Sequence, residues 1–259
     1  MSFVHNINPI LVNIGPFEIR YYGLVYVIGF LVIYLTLIYY SKKKILKLTR
    51  DEAEWFSIYL ILGVVIGARL FEVFGWSFVS GNPLYYIKNP WKIFAVWEGG
   101  MSLHGGIIGI VLAGYLYCRK KKLNVVKVAD ILVTPAAFVL ALGRIGNFIN
   151  GELVGTITNV SWCFKFPRYE GCRHPVQLYA AAGRALLGGF LLFLNKKKWK
   201  DGFLFWVFIL LMGIGRFFCD FLREDPRLFG LSFGQYLSLV MTIIGIVVLI
   251  KYYRKELTL

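Results

Sequence analysis

Long apolar runs recur seven times along this chain, at about 21–40, 55–74, 103–118, 126–142, 176–194, 203–222 and 232–253, and polar segments separate them. Crossing a bilayer takes roughly 20 apolar residues, so the pattern restricts the chain to an all-α polytopic membrane fold with seven transmembrane helices. The runs at 103–118 and 126–142 are short, and Pro135 interrupts the second of them. A span of that kind tilts, breaks or re-enters where protein covers its backbone. Composition agrees: 58% of residues are hydrophobic and 17% charged, against roughly 25% charged in a soluble domain. One membrane domain over residues 1–259 is expected, with no internal repeat.

A formal net charge of +15 would suit nucleic acid, but the placement of the basic residues argues against that partner. They cluster at Lys42, Lys43, Lys44, Lys47 and Arg50; at Arg119, Lys120, Lys121, Lys122 and Lys127; at Lys196, Lys197, Lys198 and Lys200; and at Lys251, Arg254 and Lys255. The clusters follow the first, third, fifth and seventh runs, so all fall on one side of the membrane. Basic loops mark the cytoplasmic side and favour anionic lipid headgroups. The amino terminus is therefore expected outside and the carboxyl terminus in the cytoplasm. External loops are expected at about 75–102 and 143–175, besides the shorter segments 1–20 and 223–231. The first twenty residues hold Pro9 and Pro16 and lack a basic leader, so an uncleaved first span is expected rather than a signal peptide.

Four cysteines are too few for a disulfide scaffold and lack zinc-site spacing. Neither a metal nor a cofactor is expected. Cys118 and Cys219 lie in apolar runs. Cys163 and Cys172 share one external loop, where two outcomes stay open: a disulfide on the oxidising side, or two free thiols.

The remaining charges include several in or beside spans: Arg69, Asp130, Arg144, Glu152, Arg184, Arg216 and Asp220, with His104 near them in kind. A charge at the bilayer centre costs about 2.5–3.5 kcal/mol on insertion scales. In GIGRFFCDFLRED, Arg216, Asp220 and Arg223 stand four and three apart, a spacing that shares one helical face. Arg216 is about 21 Å along the helix from Gly202, at a rise of about 1.5 Å per residue, in the outer half of the hydrocarbon core. The triad is either an ion-pair lock between helices or an arrangement in which Asp220 orients two guanidinium groups toward an anion. Arginine's fork of donors suits a phosphate.

His104 lies in WEGGMSLHGGIIG, flanked by glycine pairs that let a backbone or a lipid approach. A neutral imidazole there accepts a proton from a thiol; Glu98 is a candidate to orient it. The alternative is a structural hydrogen-bonding histidine. Ser102 is no protease elbow, because GMSLH lacks the second glycine. The stretch GRIGNFINGELVG at 143–155 concentrates Arg144, Asn147, Asn150 and Glu152 at a membrane boundary and reads as a headgroup-binding loop.

Together RYYGLVYVIGF (20–30), EGGMSLHGGIIG (98–109), GRIGNFINGELVG (143–155), RHPVQLYA (173–180) and GRFFCDFLRED (215–225) resemble, in order, the prolipoprotein diacylglyceryl transferase family. GRIGNFINGE is the most specific of these strings. The resemblance implies seven spans, an external active site and a bacterial cytoplasmic (inner) membrane location. It implies transfer of the sn-1,2-diacylglyceryl unit of phosphatidylglycerol to the lipobox cysteine of a prolipoprotein signal peptide. The partners implied are that phospholipid, that peptide and membrane lipids, with no nucleic acid. Carried over by motif, Tyr22, His104, Arg144 with Asn147, Asn150, Glu152 and Gly155, and Arg216 are the expected site residues; Asp220 and Arg223 follow from the triad. His104, Arg144 and Arg216 are expected to do the chemistry, with Tyr22 or Glu152 able to share the role of base. Two departures stand out. Where the family has Gln-Leu-Tyr-Glu this chain ends in Ala180, and Asp220 replaces a common glutamate. A divergent phospholipid-handling paralogue, a lipid transporter and a noncatalytic lipid-binding module are the rival readings.

Overall fold

The computed structural model describes residues 2–15, 17–76, 84–96 and 99–258. It is 67% helical. The long helices are α1 (Tyr21–Lys42), α2 (Arg50–Phe71), α3 (Leu103–Lys120), α4 (Val125–Ile149), α5 (Val176–Leu194), α6 (Phe203–Cys219) and α7 (Phe233–Tyr252). Among the described residues six segments are long and apolar enough to cross a membrane: Tyr21–Lys42, Arg50–Gly75, Val125–Ile149, Val176–Leu194, Phe203–Leu222 and Phe233–Tyr252. Helix α3 falls outside that set, since its 18 residues include His104, four glycines and the terminal pair Arg119 and Lys120.

The chain divides into two compact units, residues 1–33 with 129–259, and residues 34–128. In the 34–128 unit, Thr49 and Glu52 form a capping box at the start of α2, satisfying backbone N–H groups that a helix start leaves unpaired. Lys121 pairs with Glu52 at 2.6 Å, and this carboxylate raises the Lys121 ammonium above the ordinary lysine range. Helices α2 and α3 then meet through glycine. A Cβ at Gly67 or Gly105 would strike the other's carbonyl oxygen, and one at Gly109 would strike that of Gly63. Small residues four apart on both helices bring the backbones together, and nothing soft lies in the way to yield. Gly109→Val is expected to cost about 1–3 kcal/mol, the usual range for overpacking, read as a lower thermal midpoint in detergent.

Arg69, an in-span charge, belongs to this packing. It is 7% exposed and donates to the carbonyls of Ile93 at 2.9 Å, Gly99 and Gly100 at 2.7 Å each, and Lys92. It thereby ties the segment that follows α2 to the helix. The four acceptors account for a charge that the sequence leaves unexplained.

In the other unit, Val133 and Ala137 of α4, Leu187 and Leu191 of α5, Phe203, Leu204 and Val207 of α6, and Leu249 and Tyr253 at the end of α7 form the apolar core. Asp130 closes this end: its carboxylate accepts from the backbone N–H of Gly202 at 2.5 Å and Phe205 at 2.7 Å, where α6 begins and its amide dipoles favour an anion. Gln235, fully buried, forms a capping box with Ser232 on α7 and donates to the Phe217 carbonyl at 3.2 Å.

Among the described residues three small two-stranded sheets accompany the helices. Strands β1 (Phe3–Val4) and β4 (Phe164–Lys165) are parallel. The hairpin β2 (Ile10–Ile14) and β3 (Phe17–Arg20) leads into α1, and β5 (Arg227–Leu228) pairs with β6 (Leu231–Ser232). His5, 4% exposed, packs among Phe148 and Phe166, and its Nε2–H donates to the Phe148 carbonyl at 2.7 Å. Cys163 and Cys172 form a disulfide, with Cα atoms 5.5 Å apart, which settles the pairing that the spacing leaves open.

The run at 126–142 is corrected most. It is not short: α4 continues through Pro135 to Ile149. Ile145, Phe148 and Ile149 carry apolar spacing past Gly143 and Gly146, so the GRIGNFI portion of the expected loop is helix. The loop begins near Asn150, not at 143.

Candidate functional site

Three helix ends of the 1–33 and 129–259 unit meet at a cavity of about 310 Å³. Arg144 comes from the last turns of α4, Arg184 from the first half of α5, and Arg216 from the last turn of α6. Asp220 and Arg223 join them from the segment after α6. Val176, Leu187, Leu211, Met212 and Phe218 supply the apolar floor, and Leu187 also belongs to the apolar core. The apolar floor and cationic wall together suit an amphipathic anion.

Arg216 Nε lies 3.5 Å from Asp220 Oδ2, an i, i+4 pair in which the carboxylate is the more buried partner. Gly234, in the first turn of α7, makes room for it: a Cβ there would lie 2.5 Å from Asp220 Oδ2 and 2.9 Å from Arg216 Nη2. The expected triad holds in part. Helix α6 ends at Cys219, residues Asp220–Leu222 tighten into a 3-10 turn, and Arg223 is extended. Arg223 therefore leaves the helical face and pairs with Asp225 at 3.1 Å. Among the described residues Asp220 holds one guanidinium in an ion pair, that of Arg216.

Arg144 connects the cavity to a second polar group. Its Nη1 donates to Asn147 Oδ1 at 3.3 Å; Asn147 Nδ2 donates to Glu152 Oε1 at 2.7 Å; Asn150 Nδ2 reaches the same oxygen at 3.4 Å. Gln177, 1% exposed, donates to the Glu152 carbonyl at 2.7 Å. The chain of amides thus sets the Arg144 side chain from behind. Tyr22 lies beside Gly146, where a Cβ would come within 3.1 Å of its ring, and stacks edge-on with Tyr26 at 5.3 Å.

Gly155 is held between backbones: a Cβ there would meet the His174 carbonyl at 2.5 Å and that of Leu222 at 2.8 Å. Arg173, 5% exposed, fastens the same region through Glu170 O at 2.8 Å, Gly155 O at 3.1 Å and the Glu224 carboxylate. Tyr179, on the cavity wall, accepts from Trp162 Nε1 at 2.6 Å and lies 3.3 Å from His174 Nδ1. Ala180, where the resemblance leads to the expectation of an acid, also lines the cavity.

His104 belongs to the 34–128 unit. It stands in the first turn of α3 with an exposed side chain, its ring 6.2 Å from that of Phe71. Glu98, its expected orienting acid, lies outside the described residues.

Sequence reasoning sees Arg184 as a costly charge but gives it no place in the site. No motif marks it, and only the folding of α5 against α4 brings it to Arg144. Gln177 is legible within RHPVQLYA, and its backbone contact to Glu152 is the signal that the string alone lacks.

Helices long and apolar enough to span a bilayer define a multi-pass membrane protein, and one of its cavities joins arginines to an apolar surface. The family model for prolipoprotein diacylglyceryl transferase matches residues 9–251, and the chain belongs to that family. It is 39% identical to the phosphatidylglycerol–prolipoprotein diacylglyceryl transferase of Geobacter sulfurreducens, covering 99% of both chains. The proteins of the same name from Rickettsia canadensis and Bordetella parapertussis are each 38% identical, over 93% and 92% of this chain and 95% and 93% of theirs. The chain is a transferase of lipoprotein biosynthesis.

Proposed function

We propose that the cavity holds the phosphate of phosphatidylglycerol, gripped by Arg144 and Arg216, while its diacylglyceryl unit passes to the lipobox cysteine of a prolipoprotein. The convergence of these two arginines on one cavity with an apolar floor carries the reading. In the step itself, the cysteine thiolate, which is the reactive form, attacks the glycerol carbon that bears the phosphate ester. A C–S bond forms as the C–O bond breaks. The electron pair stays on the phosphate, which leaves as glycerol phosphate, and a thioether remains on the protein.

Fixed cations near the leaving oxygen stabilise the charge that gathers there. Asn147, Asn150 and Glu152 hold Arg144, and Asp220 holds Arg216. Tyr22, Gly155 and Arg223 complete the lipid side of the site. His104 is the proposed acceptor of the thiol proton, a role that Tyr22 or Glu152 is able to share.

The proposed setting is a bacterial cytoplasmic membrane, with α3 as a seventh span, the amino terminus outside and the basic clusters in the cytoplasm. Purified protein in phosphatidylglycerol vesicles with a lipobox peptide is expected to form the thioether and to release glycerol phosphate. Movement of lipid between leaflets without thioether would instead establish a transporter.

A further inference from the structure

Arg184 is the cavity arginine that the proposed step leaves unused. Among the described residues, four guanidinium groups, of Arg144, Arg184, Arg216 and Arg223, line the cavity beside one carboxylate, that of Asp220. Asp220 pairs with Arg216, and Asp225 reaches Arg223 from beyond the lining. Neither pair serves Arg144 or Arg184. Arg184 is 9% exposed, and its hydrogen bond among the described residues is a long one, 3.4 Å to the Leu140 carbonyl. A guanidinium has five donors in a fixed fork, so this bond uses little of what it offers. Arg184 also interacts electrostatically with Arg144, Arg216 and Asp220.

Buried like charges are costly unless an anion accompanies them. Phosphatidylglycerol brings a phosphodiester with a single negative charge. Once the C–O bond breaks, the phosphate is a monoester with a charge of about −1.5 to −2 at pH 7. The cavity's surplus of positive charge therefore matches the state after bond breaking better than the state before it, the condition under which binding accelerates a step.

We infer that Arg184 is a third phosphate-binding residue, which takes up the charge gained by the departing phosphate and makes the cavity prefer a phosphate monoester dianion over a phosphodiester. The inference rests on the phosphate reading of the cavity given above.

Two soluble probes test it as inhibitors of transfer by the full-length protein: glycerol 1-phosphate, a monoester, and glycerophosphoglycerol, a diester. The wild-type protein is expected to bind the monoester about tenfold or more tightly than the diester, and this preference grows from about pH 5 to 7.5 as the monoester loses its second proton, whose pKa is about 6. Arg184→Gln is expected to erase the preference and to lower kcat by about tenfold or more, with a far smaller change in KM, as removal of a transition-state contact does. Arg184→Lys restores part of both.

Equal inhibition of the wild-type protein by both probes overturns the inference, whether or not the variant folds. So does an Arg184→Gln protein that keeps its preference, even if its activity or thermal midpoint falls, because that is a structural role. Transfer retained in Arg144→Ala would instead defeat the phosphate reading itself.

Discussion

Replacing Arg144 by alanine lowers transfer by about 100- to 1,000-fold, the loss that follows removal of one fixed donor at a developing oxyanion. The size follows from the setting. Arg144 lines a cavity with an apolar floor, where a charge acts through less water than at a surface. Asn147 accepts from it and is itself held by Glu152, so the guanidinium is positioned before substrate arrives. Arg144→Lys keeps the charge but loses the planar fork, and is expected to recover only part of the rate. Asn147→Ala leaves the charge and loosens its position. Turnover of phosphatidylglycerol with a lipobox peptide, with a thermal melt as the folding control, measures the effect.

His104→Gln lowers kcat by about 100-fold or more, within the range for loss of a positioned base, while phosphatidylglycerol still binds. Glutamine keeps hydrogen-bonding groups at the start of α3 but accepts no proton from a thiol. A free thiol ionises at about pH 8.5. Raising the pH toward that value supplies thiolate without a base, so the variant's deficit shrinks as pH rises. A deficit constant across that range would remove the base role from His104 and direct attention to Tyr22 and Glu152. Loss of phospholipid binding in the same variant would make His104 a lipid contact.

How much of this was readable in the string differs from residue to residue. Among the described residues the apolar runs locate seven long helices, six of them long and apolar enough to cross a membrane, because an apolar run is a property of local sequence. The i, i+4 spacing of Arg216 and Asp220 predicts their ion pair. The same logic fails for Arg223, since the helix ends at Cys219 before its turn is reached. GRIGNFINGE identifies Arg144 and its amide partners, yet its glycines disguise a helix that Ile145, Phe148 and Ile149 sustain to Ile149.

Intramembrane charge alone is a poor guide to the site. Arg69 is met by four backbone carbonyls, and Asp130 caps a helix start. Neither partner is visible without the fold, because each lies far away in sequence. Arg184 is the converse: an arginine in an unremarkable alanine-rich helix that tertiary packing carries to the cavity wall. Ala180 brings no charge to the cavity, and Arg184 one turn later brings a positive one.

The double-mutant cycle of Arg144→Ala and Arg216→Ala in kcat/KM tests most directly whether both side chains grip one phosphate. Groups acting on a single ligand as a unit are not additive. The double variant is expected to be little slower than the worse of the two singles. A double variant slowed by the full product of the single losses would show two independent sites, and would contradict a shared phosphate.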